Sequence, residues 1–287
     1  MDLREMSLPP GWYPRQKEKI AEFLGPFAKN RGSGEPTPGG ASRAAIAPHA
    51  GWYYSGRLAA MAVTSLKADA ETVVVIGGHL PRGMPLLAAY EGGVKTPLGT
   101  MLIDSELRTE LGKNISLTAD RYQDNTVEVL LPMVHYFFPN AKLLWLRFPA
   151  EFSSFEAGKI LEKVTMSLGR QVSVLASTDL THYGDNYGFS PKGRGKAALE
   201  WVKKVNDAAF VNAVLEKDPQ MVLKRADEDQ SSCSAGAVLG ALGFAALGGK
   251  EARLLEYQTS ADVQDVYDSL PDSVPSSFVG YAAISLG

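Results

Sequence analysis

The 287-residue chain has a single cysteine, Cys233, so no intramolecular disulfide can form and a reducing compartment is expected. No stretch approaches the ~18–20 uninterrupted apolar residues that a membrane span needs. The nearest, AGAVLGALGFAALGG, is too short. There is no basic stripe either: 29 Lys and Arg are scattered among 32 Asp and Glu, for a formal net charge of −3. That balance removes the electrostatic basis for binding nucleic acid or an acidic membrane. The N-terminal MDLREMSLPPGWYPR carries acidic residues and no apolar core segment, so a signal peptide is not expected. The expectation is a cytoplasmic protein whose partner is a small molecule or a peptide.

What the chain does contain is an alternation of strand-like and helix-like segments. AAIAP (44–48), TVVVIG (72–77), KLLWLR (142–147) and QVSVLAS (171–177) are short apolar runs, the mark of strands buried on both faces. Helical spacing appears at 16–29, 56–68, 155–169 and 195–216, and two late strands at 252–257 and 277–285. The Gly/Pro/Ser-rich RGSGEPTPGGASR (31–43) reads as a linker, but the segment before it is too short to fold alone. Strands separated by helices of this length predict βαβ crossovers. The expected fold is one α/β domain over 1–287, with a mainly parallel central sheet and helices on both faces.

Three of the four histidines share one address. His49 follows AAIAP, His79 follows VVVIGG, and His182 follows VSVLASTDLT, each just past the carboxyl end of a predicted strand. That edge is where open parallel sheets bind ligands. His135, in LPMVHYFFP, reads instead as a packing residue. Cys233 precedes an all-apolar helix that Ser231 or Ser232 could cap, and a thiol at a helix N-terminus is biased toward thiolate. Taken alone, it reads first as an inert buried thiol. Imidazoles and a thiolate together make a donor set that zinc, copper and iron accept. No Cys-x-x-Cys or His-x-x-x-His pair exists, so such a site would be built from separate loops. Asp179 could hold an imidazole tautomer or cap a helix. Trp52, Tyr53 and Tyr54 could wall a pocket beside His49 or pack a helix against the sheet.

Several strings resemble the Memo family, also described in prokaryotes as AmmeMemoRadiSam system protein B. They are Gly11-Trp12-Tyr13-Pro14, Ala47-Pro48-His49-Ala50-Gly51 with Tyr54-Ser55-Gly56, and Thr96-Pro97-Leu98-Gly99. Ser177-Thr178-Asp179-Leu180-Thr181-His182-Tyr183-Gly184, Tyr257-Gln258-Thr259-Ser260 and Val279-Gly280-Tyr281-Ala282 complete the match. The resemblance implies a fold similar to class III extradiol ring-cleavage dioxygenases, in which two histidines and a carboxylate hold Fe(II). It makes His49 and His79 the imidazole ligands and Cys233 a thiolate in the carboxylate's place. His182 falls where those enzymes keep their acid/base, with Asp179 beside it. Trp52, Tyr54, Asp124 and Asn125 become pocket residues, and iron (Fe2+) or copper the metal, with zinc also compatible with the donors. The chain departs from the family pattern at Gly77-Gly78-His79, where Gly-Pro-Ser-His is usual. It departs again at Asp124-Asn125-Thr126-Val127-Glu128, where Glu-His-Ser-x-Glu is usual, and at Ser234, where glycine is common.

Three functions follow as expectations. The first is a redox-active metal-binding protein, with extradiol dioxygenase turnover as its most specific form. The second is a non-catalytic peptide- or protein-interaction module using the same pocket. The third, hydrolysis by a Cys233–His182 pair, requires those side chains within hydrogen-bond reach.

Overall fold

A computed structural model describes residues 2–32, 42–248, 251–263 and 274–287. Most of the expected linker at 31–43 lies outside these residues. In chain order the strands are β1 (Leu3–Arg4), β2 (Ala44–Ala47), β3 (Thr72–Leu80), β4 (Leu86–Ala88), β5 (Gly93–Thr96) and β6 (Gly99–Leu102). They continue with β7 (Leu117–Ala119), β8 (Lys142–Pro149), β9 (Val172–Ser177), β10 (His182–Gly184), β11 (Ala252–Thr259) and β12 (Ser277–Leu286). The helices are α1 (Lys17–Gly32), α2 (Trp52–Ser65), α3 (Ser105–Gly112), α4 (Asn125–Glu128) and α5 (Leu131–Phe137). After them come α6 (Phe152–Ser167), α7 (Lys196–Trp201), α8 (Asp207–Leu215), α9 (Pro219–Asp229) and α10 (Ala235–Ala245).

The main sheet runs β10-β12-β2-β9-β3-β8-β4-β7, with β11 also paired to β12; β1, β5 and β6 form a small second sheet. Strands β2, β9, β3 and β8 are mutually parallel and make the centre, whereas β12 and β4 join its two sides antiparallel. The fold is the expected α/β domain, parallel through the middle and mixed toward the edges.

The unbroken apolar runs explain the layering. Along β3, Val74 and Ile76 face the helices α6, α8 and α10, while Val73 and Val75 face α1, α2 and α5. Alternation sends neighbouring residues to opposite faces, so a strand covered on both sides needs apolar residues throughout. Helix α10 is buried along its whole length, as its all-round apolar sequence predicts. It lies so close to α6 that a Cβ on Gly158 would stand 2.1 Å from the Gly240 carbonyl oxygen.

Three boundaries differ from expectation. Helix α2 starts at Trp52 rather than at 56, because extended Gly51 caps it and the aromatic triplet forms its first turn. The segment expected as one helix over 195–216 is broken by a π-helical turn at Val202–Asn206. That wider turn lets Asn206 and Asp207 both reach Thr181. Strand β3 runs on to Leu80 through a bulge. Gly77 pairs with Arg147 and Leu80 with Pro149, leaving one extra residue on β3.

Candidate metal centre

Because β2, β9 and β3 are consecutive neighbours, their carboxyl ends bring distant residues to one place. His49 lies two residues beyond β2 and is 1% exposed. The Asp179 carboxylate accepts its backbone N–H at 2.7 Å, and Ser177 Oγ meets its Nδ1 at 2.7 Å. Ser177, rather than Asp179, therefore holds the outer nitrogen of this imidazole and leaves Nε2 facing inward.

His79 sits in the β3 bulge with φ of 55°, a left-handed conformation rare for a residue with a side chain. The glycines before it let the bulge press close against its neighbours. A Cβ on Gly77 would stand 2.2 Å from Thr126 Oγ1, and one on Gly78 would stand 2.4 Å from Ser234 Cβ. The His79 ring bonds Asp124 through Nδ1 at 3.0 Å and meets the His49 ring edge-on, with centroids 4.8 Å apart. Asp124 also caps α4, accepting the Thr126 N–H at 2.8 Å.

Cys233 comes from the opposite side, just before α10. Ser234 occupies the cap position of that helix; Ser231 instead bonds the Arg225 carbonyl and Ser232 bonds Thr178. Cys233 and Asp179 clamp each other: Cys233 N–H donates to the Asp179 carbonyl, and Asp179 N–H donates to Cys233 Sγ at 3.3 Å. The thiol sulfur lies 3.2 Å from His49 Nε2. One donor atom from each of His49, His79 and Cys233 falls within 4.8 Å of the others.

Burial opposes charge on Cys233, His49, His79 and Asp124, but the attraction of their partners outweighs it. The two imidazoles hold the Cys233 thiol well below its ordinary pKa. His49 is held above its ordinary value by Asp179 and Cys233 despite complete burial. His79 loses by burial but gains more from Asp124 and Cys233, and rises to about 10. Asp124, also penalised by burial, is drawn down to about 2 by His79, Thr126 and Arg147. Burial raises Asp179, helped by the negative charge on Cys233.

These donors fit a metal ion. Bond lengths of about 2.3 Å to sulfur and 2.1 Å to nitrogen place ligands of one tetrahedral ion roughly 3.5 Å apart. The 3.2 Å approach of Cys233 to His49 and the 4.8 Å ceiling for the set bracket that spacing. Both imidazoles also have their outer nitrogens engaged, by Ser177 and by Asp124, as metal-bound histidines do.

The cluster opens onto a cleft of about 640 Å³ lined by Trp12, Tyr53, Tyr54, Asn125, His182 and Tyr187, among others. His182 is outside the three-donor group. Its Nδ1 lies 3.1 Å from the Leu180 carbonyl, which only accepts, so Nδ1 carries a proton. Asn125 donates to the His49 carbonyl at 2.9 Å. Trp52 does not line the cleft: it is 4% exposed, donates to the Val129 carbonyl and packs on Phe23. His135 lies elsewhere, its Nδ1 2.7 Å from Thr96 Oγ1. The imidazoles beside Cys233 are His49 and His79, so the Cys233–His182 pair needed for thiol hydrolysis is not assembled among the described residues.

Sequence reasoning does not single out Ser177, Arg147 or Trp12. Arg147 carries a signal all the same, as a lone charge at the carboxyl end of the apolar run KLLWLR. Ser177 and Trp12 lie inside the Memo-like strings, but only the fold gives them a role.

Comparison with known proteins gives the family. The family model described as "Memo-like protein" matches residues 4–285. A MEMO1 family protein of Pyrococcus abyssi is 32% identical over 95% of each chain, and one of Thermococcus onnurineus is 30% identical over 95% of each. Among solved structures, an uncharacterized protein of Escherichia coli K12 aligns at 15% identity with a TM-score of 0.46, covering 86% of this chain and 100% of that one. That likeness is too loose to carry an argument. No helix among the described residues is long and apolar enough to cross a membrane.

Proposed function

The chain belongs to the Memo-like family, and from that premise we propose that it is a metalloprotein whose ion is held by His49, His79 and Cys233. The observation that carries this reading is the outer bonding of the two imidazoles, Ser177 on His49 and Asp124 on His79, with the thiol sulfur between their inner nitrogens. Hydrogen bonds of that kind orient a ligand; a packing histidine such as His135 also bonds its Nδ1, but His49 and His79 in addition turn on one shared thiol.

Iron or copper is the favoured ion, and zinc the alternative. Thiolate and imidazole suit all three. The cleft side is left to solvent and to His182, which is the arrangement of a reactive centre rather than a closed structural one. Bound iron or copper would supply one-electron or dioxygen chemistry. The residues do the rest. His182 presents Nε2 to accept a proton from a molecule in the cleft, Tyr187 packs edge-on against that ring, and Asn125 fixes the His49 backbone. A catechol with dioxygen is the first substrate pair to try.

A second reading, a peptide-binding module in the same cleft, is supported by the exposed aromatic rim, with Tyr53 50% and Tyr54 38% exposed. One experiment separates the two. Elemental analysis of anaerobically purified protein should find near-stoichiometric iron or copper, lost in His49→Ala and in Cys233→Ala. Wild-type protein that neither carries metal nor takes up added Fe(II), Cu or Zn would leave the peptide reading standing alone.

A further inference from the structure

Arg147 lies on β8 in register with Gly77, beside the bulge that carries His79, and is 3% exposed. Its guanidinium makes four contacts. Nε and one terminal nitrogen donate to the Gly78 carbonyl at 3.0 and 2.9 Å, so both grip the peptide immediately before His79. That same terminal nitrogen lies 3.2 Å from Asp124 Oδ2, the oxygen that bonds His79 Nδ1. The other terminal nitrogen reaches Asp120 Oδ1 at 3.4 Å. Asp120 in turn accepts from Trp145 Nε1 at 2.9 Å and lies 3.8 Å from Arg4 on β1.

We propose that Arg147 is the positioning residue of the His79 arm: it holds the backbone of the bulge and the carboxylate on the His79 ring in one fixed relation, and so aims the imidazole at Cys233. The inference rests on the metal reading above. A plainer alternative is that Arg147 only neutralises two buried carboxylates. The geometry argues otherwise, because half of its contacts go to a neutral carbonyl. A planar fork can serve the carbonyl and two carboxylates at once, whereas a lysine ammonium offers one point charge.

Aerobically stable Co(II) is the probe, read by titration and by its thiolate charge-transfer and d–d bands. Arg147→Lys keeps the charge and loses the fork. Its Co(II) affinity should fall about 10- to 100-fold with altered d–d bands, the range for losing an outer partner of a metal ligand. Arg147→Met and Asp124→Asn should each fall comparably, and the double variant no further than the worse single one, since both act through His79. If Arg147→Met does not fold, Arg147→Lys carries the test. Wild-type affinity and spectrum in Arg147→Lys would overturn the proposal, as would losses in the double variant that multiply. Failure of the wild type to take up Co(II) or Fe(II) would be seen before any variant is made. It would refute the metal reading and this inference with it.

Discussion

Gly78→Ala is the sharpest single test of how the site is built. The added Cβ would stand 2.4 Å from Ser234 Cβ, 2.5 Å from its Oγ and 2.8 Å from its Cα. Carbon atoms rest about 3.5–4.0 Å apart, so the two chains must part by about 1 Å. Neither has slack. Ser234 caps α10, and that helix is already so close to β8 that a Cβ on Gly236 would stand 2.1 Å from the Pro149 carbonyl oxygen. On the other side, the Gly78 carbonyl is pinned by Arg147. Overpacking of this kind costs about 1–3 kcal/mol, or roughly 2–4 °C of melting temperature per kcal/mol in a chain of this size class. The same parting separates His79 from Cys233, so metal affinity should fall at least about tenfold, the equivalent of about 1.4 kcal/mol. Urea unfolding of the apoprotein and Co(II) titration measure the two effects separately. Gly112→Ala is the control: it is the last residue of α3, and its new methyl would meet nothing within 4 Å, so it should gain about 0.5–1 kcal/mol. Wild-type stability together with undiminished metal uptake in Gly78→Ala would refute the close-approach argument.

Three further outcomes are expected. Asp207 is fully buried, and burial lifts its carboxyl from 3.8 to about 6 against the hydrogen bonds from Thr181 and Tyr257. The folded state thus holds this proton more tightly than the unfolded chain. Its contribution, about 3 kcal/mol, is present below about pH 4 and lost as pH rises through about 6. Asp207→Asn should flatten that fall in urea unfolding between about pH 4 and 7, and an unchanged slope would sink the assignment. Trp52→Ala should destabilise by about 3–5 kcal/mol, whereas Tyr54→Ala should stay within about 0.5 kcal/mol in thermal melts and change only ligand binding in the cleft. Equal costs would contradict their opposite placements. Glu128 accepts from Ser7 N–H, Ser7 Oγ, Leu8 N–H and Tyr13 OH. Glu128→Ala should cost about 3 kcal/mol and speed hydrogen exchange at Ser7 and Leu8, and slow exchange there would show that the segment is held by other contacts.

The central strands were legible because burial on both faces demands unbroken apolar runs, and Val73 to Ile76 meet that demand with no help from context. The gathering of His49 and His79 was legible because residues following neighbouring strands converge, whereas Cys233, which precedes α10, was joined to them by the Memo-like strings and its donor chemistry. The bulge was not. It exists only in the register between β3 and β8, and a single strand's sequence carries no record of its partner's register. Trp52 escaped for a related reason. Apolar spacing begins after the aromatic triplet and sets the helix start there, so the inward face of Trp52 and the outward face of Tyr54 could not be told apart. Asp179 as tautomer holder failed on competition: Ser177, at the end of β9, is nearer to His49 Nδ1. The antiparallel joining of β12 also escaped, since parallel and antiparallel strands share the same apolar pattern.

That last strand has a consequence for the order in which the molecule assembles. Strand β12 pairs with β2, from the opposite end of the sequence, and also carries β10 with His182. Joining ends so far apart costs loop-closure entropy that local contacts do not repay in advance, so it belongs late in folding. The strands bearing His49, Ser177 and His79 pair among themselves without it. Pulse-labelled hydrogen exchange during refolding should therefore protect Ala45, Val75 and Leu175, whose amides face β9, β8 and β3, before Tyr183. Early protection of Tyr183 would reverse the order. On the proposed metal reading, a chain that sets its two imidazoles before its outer wall is laid can take an ion through a wide mouth, and then narrow that mouth around it.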